Sequence, residues 1–281
     1  MSMPGKRPWL GWAVLAAGFA FLYLPILLLM VYSFNESRLA TVWTGFSTKW
    51  YGELLRDRQL LQAAWISLKV AFWTASAAVL LGTMAALAMV RFGRFRGRTG
   101  FGALVTAPLV MPEVILGLST LLLLVSMGGL FGLPSKGLVA IWIAHVTFTL
   151  AYVTVVVSSR LQELDRSLEE AAMDLGANRI KTFFQITLPI IAPALVAGWL
   201  LAFTLSLDDV VIASFLSGPS STTLPIKIFA SVRLGVSPKI NALATIMVLA
   251  VSLIAVIGWW LMARSEKRRA REVQQALKDN G

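Results

Sequence analysis

The chain has 281 residues, of which 57% are hydrophobic and only 14% are charged. Soluble domains carry about 25% charged residues, so this composition excludes an ordinary soluble fold. The formal net charge of +11 would suit a nucleic-acid partner, but basic residues also orient membrane proteins, and we expect no nucleic acid. The lack of cysteine excludes disulfides, thiolate metal sites and a cysteine nucleophile.

Apolar runs of about 20 residues or more alternate with polar stretches, as is typical of transmembrane helices. They predict an all-α integral membrane protein with six transmembrane helices, at Trp12 to Phe34, Trp65 to Val90, Gly102 to Val125, Gly137 to Val157, Ile186 to Leu207 and Asn241 to Met262. We expect residues 1–11 to form an N-terminal segment, residues 12–262 the transmembrane domain, and residues 263–281 a charged tail that can touch anionic membrane lipid. Lys6 and Arg7 precede a first run without a cleavage site, so this helix is expected to stay in the mature protein.

Basic residues are unequally distributed between the two sides of this arrangement. Sixteen lie in the N-terminal segment, after the second span, after the fourth span and in the tail. Eight lie in the three segments on the opposite side, which are longer. The positive-inside rule therefore predicts that both termini are cytoplasmic.

The segment after the fourth span, at about residues 159–189, carries the most specific pattern. Residues 163–175 favour a helix, and Gly176 favours its end. The pattern consists of Glu170, Ala171, Ala172, Gly176, Ile186, Leu188 and Pro189. A nearby glycine, lysine and threonine do not form a phosphate-binding loop, because Ile180 stands where a glycine is required. We therefore expect that this chain does not bind ATP.

This spacing resembles the EAA loop of ATP-binding-cassette (ABC) importer permeases. The resemblance implies a type I ABC importer permease fold, in which residues 170–176 form a coupling helix that sits in a groove of a cytosolic ATPase. Glu170, Ala171, Ala172 and Gly176 would then pass ATP-driven motion to the membrane helices. The alternative is a helical hairpin that only connects two spans.

Glu113 is one of three acidic residues within the predicted membrane zone, where a charge costs about 2.5 to 3.5 kcal/mol and is a functional hypothesis by default. It lies 12 residues from either end of the run Phe101 to Val125. At 1.5 Å per residue this is roughly 18 Å, so we expect Glu113 at the bilayer midplane. Pro108 and Pro112 are expected to kink the helix and free carbonyls that suit a cation. Alternatively, Glu113 is protonated or paired and locks the helices together.

Asp208 and Asp209 are the other two acids, at the edge of the membrane zone. Adjacent side chains on a helix diverge by about 100°, so only one of them can face a central path. The other is expected to cap the helix that begins at Val210. The sequence does not decide which aspartate does which.

The stretch from Phe203 to Phe215, with Gly218, Pro219, Thr223, Leu224 and Pro225 after it, resembles polyamine-importer permeases. Together with the EAA loop and Glu113, it is most similar to the putrescine-type second permease, over nearly the whole chain. Glu113 replaces an expected aspartate, which leaves putrescine or spermidine open. The resemblance implies a bacterial inner-membrane subunit that works with a second permease, an ATPase dimer holding ATP and Mg, and a periplasmic polyamine-binding protein. Glu113, Asp208 and Asp209 would line its path.

Other functions remain open to a chain with membrane acids. The main alternative is a proton-coupled secondary transporter of an organic cation, in which these acids relay protons. An enzyme is not expected, because no nucleophile and base pair is recognisable. His145 in the fourth span is expected to form a hydrogen bond between helices rather than bind a metal, because the chain has no second histidine or cysteine.

Overall fold

The computed structural model describes residues 8–38, 42–93, 95–132, 134–234 and 238–253, together with residues 256 and 260. This part of the chain is helical apart from its turns and one isolated antiparallel bridge between Asn35 and Phe46. The predicted all-α class is confirmed. Lys6, Arg7 and the predicted tail from residue 263 onwards lie outside the described residues.

The helices are α1 (Pro8–Tyr32), α2 (Lys49–Arg56), α3 (Arg58–Arg91), α4 (Arg98–Thr106), α5 (Glu113–Phe131), α6 (Leu138–Glu163), α7 (Arg166–Asp174), α8 (Arg179–Thr182), α9 (Leu188–Leu207), α10 (Val211–Leu216), α11 (Leu224–Leu234) and α12 (Pro238–Leu253). A 3-10 turn, Ala107–Leu109, follows α4, and a π-helical turn, Phe183–Thr187, joins α8 to α9. The chain divides into two compact units, one of residues 59–230 and one of the residues on either side.

Four helices of the described residues are long and apolar enough to cross a membrane: Gly11–Tyr32, Arg58–Arg91, Leu138–Glu163 and Arg179–Leu207. The segments 98–109 and 113–128 would together make a fifth, but the chain bends by 113° between them. α12 is apolar and shorter, and the predicted sixth span runs past the described residues. Six spans therefore stays a prediction.

Small side chains hold α3 close to α6 in the unit of residues 59–230. A Cβ on Gly82 of α3 would lie 2.9 Å from Val153 Cγ1 and 3.3 Å from the Thr154 backbone nitrogen, both on α6. Ala75 and Ala78 of α3 are completely buried in an apolar cluster that also contains Val153. Small residues allow this approach, and close packing stabilises helix pairs in a membrane, where lipid is as apolar as the side chains.

The other unit contains α1, α2 and α12. The buried Trp50 indole donates a hydrogen bond to the Asn35 carbonyl at 2.6 Å. Lys239 Nζ of α12 lies 3.4 Å from Glu53 Oε2 and 3.8 Å from Asp57 Oδ2. These contacts attach the short helix α2 to the chain segments on both sides of it.

Candidate functional site

Glu113 is the first residue of α5, where a membrane-spanning stretch breaks. Pro108 lies in the 3-10 turn, and Pro112 is the N-cap of α5. Neither proline can donate a backbone hydrogen bond, and the chain bends by 113° in this region. The expected kink is therefore confirmed, and it divides the span predicted from Gly102 to Val125 into two helices. The midplane depth of Glu113 stays a prediction. The Glu113 side chain is exposed in this chain, and its negative charge complements the positive end of the α5 dipole.

Asp208 and Asp209 lie at a second break, between α9 and α10. Asp209 Oδ1 accepts a hydrogen bond from the Ala213 backbone at 2.9 Å, and Asp209 Oδ2 accepts one from Ile212 at 3.2 Å. Asp209 is only 8% exposed, whereas Asp208 is exposed. Asp209 is therefore the aspartate that caps the following helix, and Asp208 is the one open to its surroundings.

His145 connects this break to the neighbouring helix α6. Its Nδ1 lies 2.8 Å from Ser206 Oγ on α9, so the expected hydrogen bond between helices is confirmed. Its Nε2 lies 3.5 Å from Asp209 Oδ1, which is longer than an ordinary hydrogen bond and acts as an electrostatic contact. All three side chains are buried, so His145 fixes the end of α9 and the start of α10 relative to α6.

The packing of α5 on α10 brings the two breaks together. A Cβ on Gly117 of α5 would lie 3.2 Å from Ile212 Cα and 2.8 Å from the Phe215 ring. Glu113 precedes Gly117 by four residues and so lies on the same face of α5. Glu113 lies at the break before α5, and Asp208 and Asp209 lie at the break before α10. We call these three carboxylates the acidic cluster.

Helix α7 begins and ends with well-formed caps. Asp165 accepts a hydrogen bond from the Ser167 backbone at 2.9 Å, and its hydrogen bonds with the Ser167 backbone and side chain hold the pKa of Asp165 below its usual value. At the other end, the Gly176 backbone donates to the Met173 carbonyl, and Ala177 donates to Ala172. These two bonds form a Schellman motif, and Gly176 has a φ of +88°, which disfavours a side chain. The predicted end of this helix at Gly176 is confirmed.

The sequence pattern did not single out Glu169, the residue that holds α7 in place. Glu169 Oε2 lies 3.0 Å from Arg91 Nε at the end of α3. Glu169 Oε1 accepts a hydrogen bond from Thr187 Oγ1 at 2.6 Å. The neighbouring Glu170 points to a different side of the helix and is exposed. Glu169 therefore attaches the helix and Glu170 is open to a partner, because adjacent side chains on a helix point about 100° apart.

An exposed surface runs along α7 and the turn after it. It consists of Glu170, Ala171, Leu175, Gly176 and Ile180, which we call the α7 surface. Leu175 is 90% exposed and Ile180 is 70% exposed. Of the residues predicted for coupling, Glu170, Ala171 and Gly176 lie on this surface and Ala172 is half-buried. The sequence pattern did not predict a role for Leu175 or Ile180. An apolar residue next to the glycine that ends the helix is a signal that could have identified Leu175.

Ile186, Leu188 and Pro189 lie where α8 passes into α9. Pro189 is the second residue of α9 and has no backbone N–H. The π-helical turn Phe183–Thr187 comes just before it, and such turns occur where the regular hydrogen-bond ladder is interrupted. Because Thr187 also binds Glu169, α7 is attached to the base of α9, whose other end is capped by Asp208.

Comparison with known proteins gives concordant results. The family described as "Binding-protein-dependent transport system inner membrane component" matches residues 78–271. The putrescine transport system permease protein PotI of Escherichia coli strain K12 is 60% identical over 272 residues, which are 96% of each chain. The spermidine/putrescine transport system permease protein PotC of the same strain is 43% identical over 254 residues, covering 90% of this chain and 94% of that relative.

Two solved structures share the fold. A bacterial ABC transporter involved in the import of the acidic polysaccharide alginate matches with a TM-score of 0.66 at 17% identity, over 91% of this chain and 97% of that chain. A bacterial alginate ABC transporter in complex with an alginate pentasaccharide-bound periplasmic protein matches with a TM-score of 0.67 at 18% identity, over 90% and 93%. At these identities the likeness concerns the fold alone, and it confirms the predicted importer permease fold.

Proposed function

The chain belongs to the family of binding-protein-dependent transport system inner membrane components, and from this we propose that it forms half of the translocation path for a polyamine. It is a multi-pass permease subunit of an ABC importer. The polyamine is proposed from the names of the relatives, which include putrescine and spermidine/putrescine permeases. The acidic cluster is the observation in this chain that carries the proposal.

The acidic cluster suits a substrate with two or more ammonium groups. A cation that enters the membrane loses much of its water, and opposite charge must replace that water. Glu113 and Asp208 are exposed carboxylates at two helix breaks, and non-helical backbone at membrane depth is tolerated where it lines a water-filled cavity. We assign Glu113 and Asp208 to the path, while Asp209 supports it as the cap of α10.

The α7 surface is the proposed docking site for the ATPase. An exposed leucine and isoleucine beside a capped helix suit a protein partner better than they suit water. Motion of α7 would reach α9 through Glu169 and Thr187, and α9 ends at Asp208. In this proposal ATP and Mg bind to an ATPase dimer, not to this chain. A second permease completes the path, and a periplasmic polyamine-binding protein delivers the substrate.

Uptake by the reconstituted importer tests this function. We expect putrescine to enter proteoliposomes only when the complete complex, its binding protein and ATP on the ATPase side are all present. This chain alone should transport nothing. Uptake by this chain alone under a proton gradient, without ATP, would instead establish the secondary transporter.

A charge reversal on the α7 surface tests the coupling assignment. Glu170→Lys should abolish ATPase recruitment and uptake while the subunit still inserts. Glu163→Lys is the matched control, because Glu163 is an exposed glutamate at the end of α6 whose pair with Arg160 is on the surface. Normal ATPase copurification with Glu170→Lys would contradict the assignment.

We also propose that both termini are cytoplasmic, from the distribution of basic residues. The native chain has no cysteine, so single introduced cysteines report topology without background. Thr44→Cys should react with an impermeant thiol reagent in spheroplasts, and Arg96→Cys should not. Labelling of Arg96→Cys from outside would reverse the orientation.

A further inference from the structure

Lys69 is the one basic residue of the sequence that lies inside a predicted span rather than between spans. It is exposed on α3, on a face whose other exposed side chains, such as Trp65, Phe72 and Leu80, are large and apolar. Among the described residues, no carboxylate lies within 4.0 Å of its Nζ. An ionisable residue on an apolar membrane face is a functional hypothesis by default.

The depth of Lys69 can be calculated along α3. Arg91, at the end of α3 that contacts α7, lies 22 residues after Lys69, which is roughly 33 Å at 1.5 Å per residue. The hydrocarbon core of a bilayer is about 30 Å thick. When Arg91 lies at one surface, Lys69 therefore lies near the headgroups of the opposite leaflet, where phosphates are the abundant anions.

Three tryptophans lie at or near the level of this lysine along α3 and α6. Lys69 Nζ lies 5.2 Å from the ring centroid of Trp65, a cation–π contact, and Trp73 follows one turn later on the same face. Trp142 of α6 lies 18 residues before Arg160, roughly 27 Å by the same rise, so it belongs to the same membrane level. Tryptophan is enriched at the headgroup level.

A groove connects the charge to the apolar surface. It has a volume of about 320 Å³ and is lined by Lys69, Val70, Trp73, Leu138, Val139 and Trp142. This volume is at the lower end of the range for small-ligand sites, roughly 300–1,000 Å³. The groove combines a cation with aromatic and aliphatic side chains of α3 and α6, which matches the phosphate and upper acyl chain of a phospholipid.

We propose that Lys69 and this groove form a phospholipid site in the leaflet away from α7, with the lysine ammonium on the lipid phosphate. Charge complementarity selects the occupant, because the lysine lacks a carboxylate partner among the described residues and lies at phosphate depth. Trp65 orients the ammonium, and Trp73 and Trp142 contact the chain.

Native mass spectrometry of the full chain in detergent tests the site with three short-chain probes. Phosphatidylglycerol and phosphatidylcholine should both bind to the wild type, and a diacylglycerol of the same chain length should bind at least about tenfold more weakly, as expected when a charge-assisted bond is lost. Equal binding of the diacylglycerol, or no binding of either phospholipid, would overturn the proposal without any mutation.

Substitutions then locate the site. Lys69→Gln should weaken the binding of both phospholipids by about tenfold. Lys69→Arg keeps the positive charge and should bind both as the wild type does. Lys136→Gln is the matched control, since Lys136 is an exposed loop lysine and loses the same charge. A photo-crosslinker at position 73 in cells should give a lipid adduct. Unchanged binding in Lys69→Gln, or a protein adduct in place of the lipid adduct, would overturn the assignment.

Discussion

Asp208 and Asp209 are neighbours in the chain with different environments. Asp209 is buried, accepts two backbone hydrogen bonds from α10 and lies beside His145. Asp208 ends α9 and is exposed. Helix geometry predicted that the two adjacent acids have different roles, since their side chains must diverge. Which residue turns inward was not predictable, because it depends on His145, 64 residues earlier, and on the turn between α9 and α10.

Asp209→Ala should lower thermal stability, while Asp208→Asn should leave it unchanged. The alanine removes a cap and leaves buried amides without an acceptor, at a cost of about 2 kcal/mol. Melting of the purified chain, followed by circular dichroism, measures the difference. Asp208→Asn should still slow uptake, because it removes a charge from the path. Equal melting shifts in the two variants would contradict the assigned roles.

The apolar pattern around the start of α5 is continuous, but the helix in this region is broken. Pro108 and Pro112 predicted a kink, and the kink is confirmed, but its size turns one predicted span into two segments. Hydropathy cannot give this angle, because a broken pair and a straight helix have the same apolar residues. Hydropathy also cannot give the close packing of α5 on α10 at Gly117, which is a contact between residues almost a hundred positions apart.

Gly117→Ala should therefore damage both packing and transport. Its Cβ would approach the Ile212 backbone to 3.2 Å, so α10 or α5 must move, at a cost of roughly 1 to 3 kcal/mol. Gly100→Ala on α4 is the matched control, because a Cβ there meets nothing within 4 Å and replacing a helical glycine gains up to about 1 kcal/mol. Melting and uptake should both fall for Gly117→Ala only. A Gly117→Ala variant as stable and active as Gly100→Ala would contradict this packing.

At the scale of the whole molecule, one continuous set of contacts links the α7 surface to the acidic cluster. Glu169 attaches α7 to Arg91 of α3 and to Thr187 at the base of α9, and α9 leads to Asp208. Composition and the EAA spacing predicted the fold class and the family, because lipid solvent and the short spacing of that loop can both be read from local sequence. Glu169 was not predicted, because its role depends on side chains from two other helices.

In the proposed mechanism, exposed carboxylates at the helix breaks carry a polyamine through the membrane. The most direct measurement is the initial rate of putrescine uptake by the complete importer in proteoliposomes, with saturating ATP and binding protein. Glu113→Gln keeps the shape of the side chain and removes its charge, so the rate should fall about tenfold or more, which corresponds to a loss of about 1.4 kcal/mol or more of charge stabilisation of the cation. Complex assembly and the affinity of the binding protein should not change. Wild-type rates in both Glu113→Gln and Asp208→Asn would contradict this mechanism and make these acids structural.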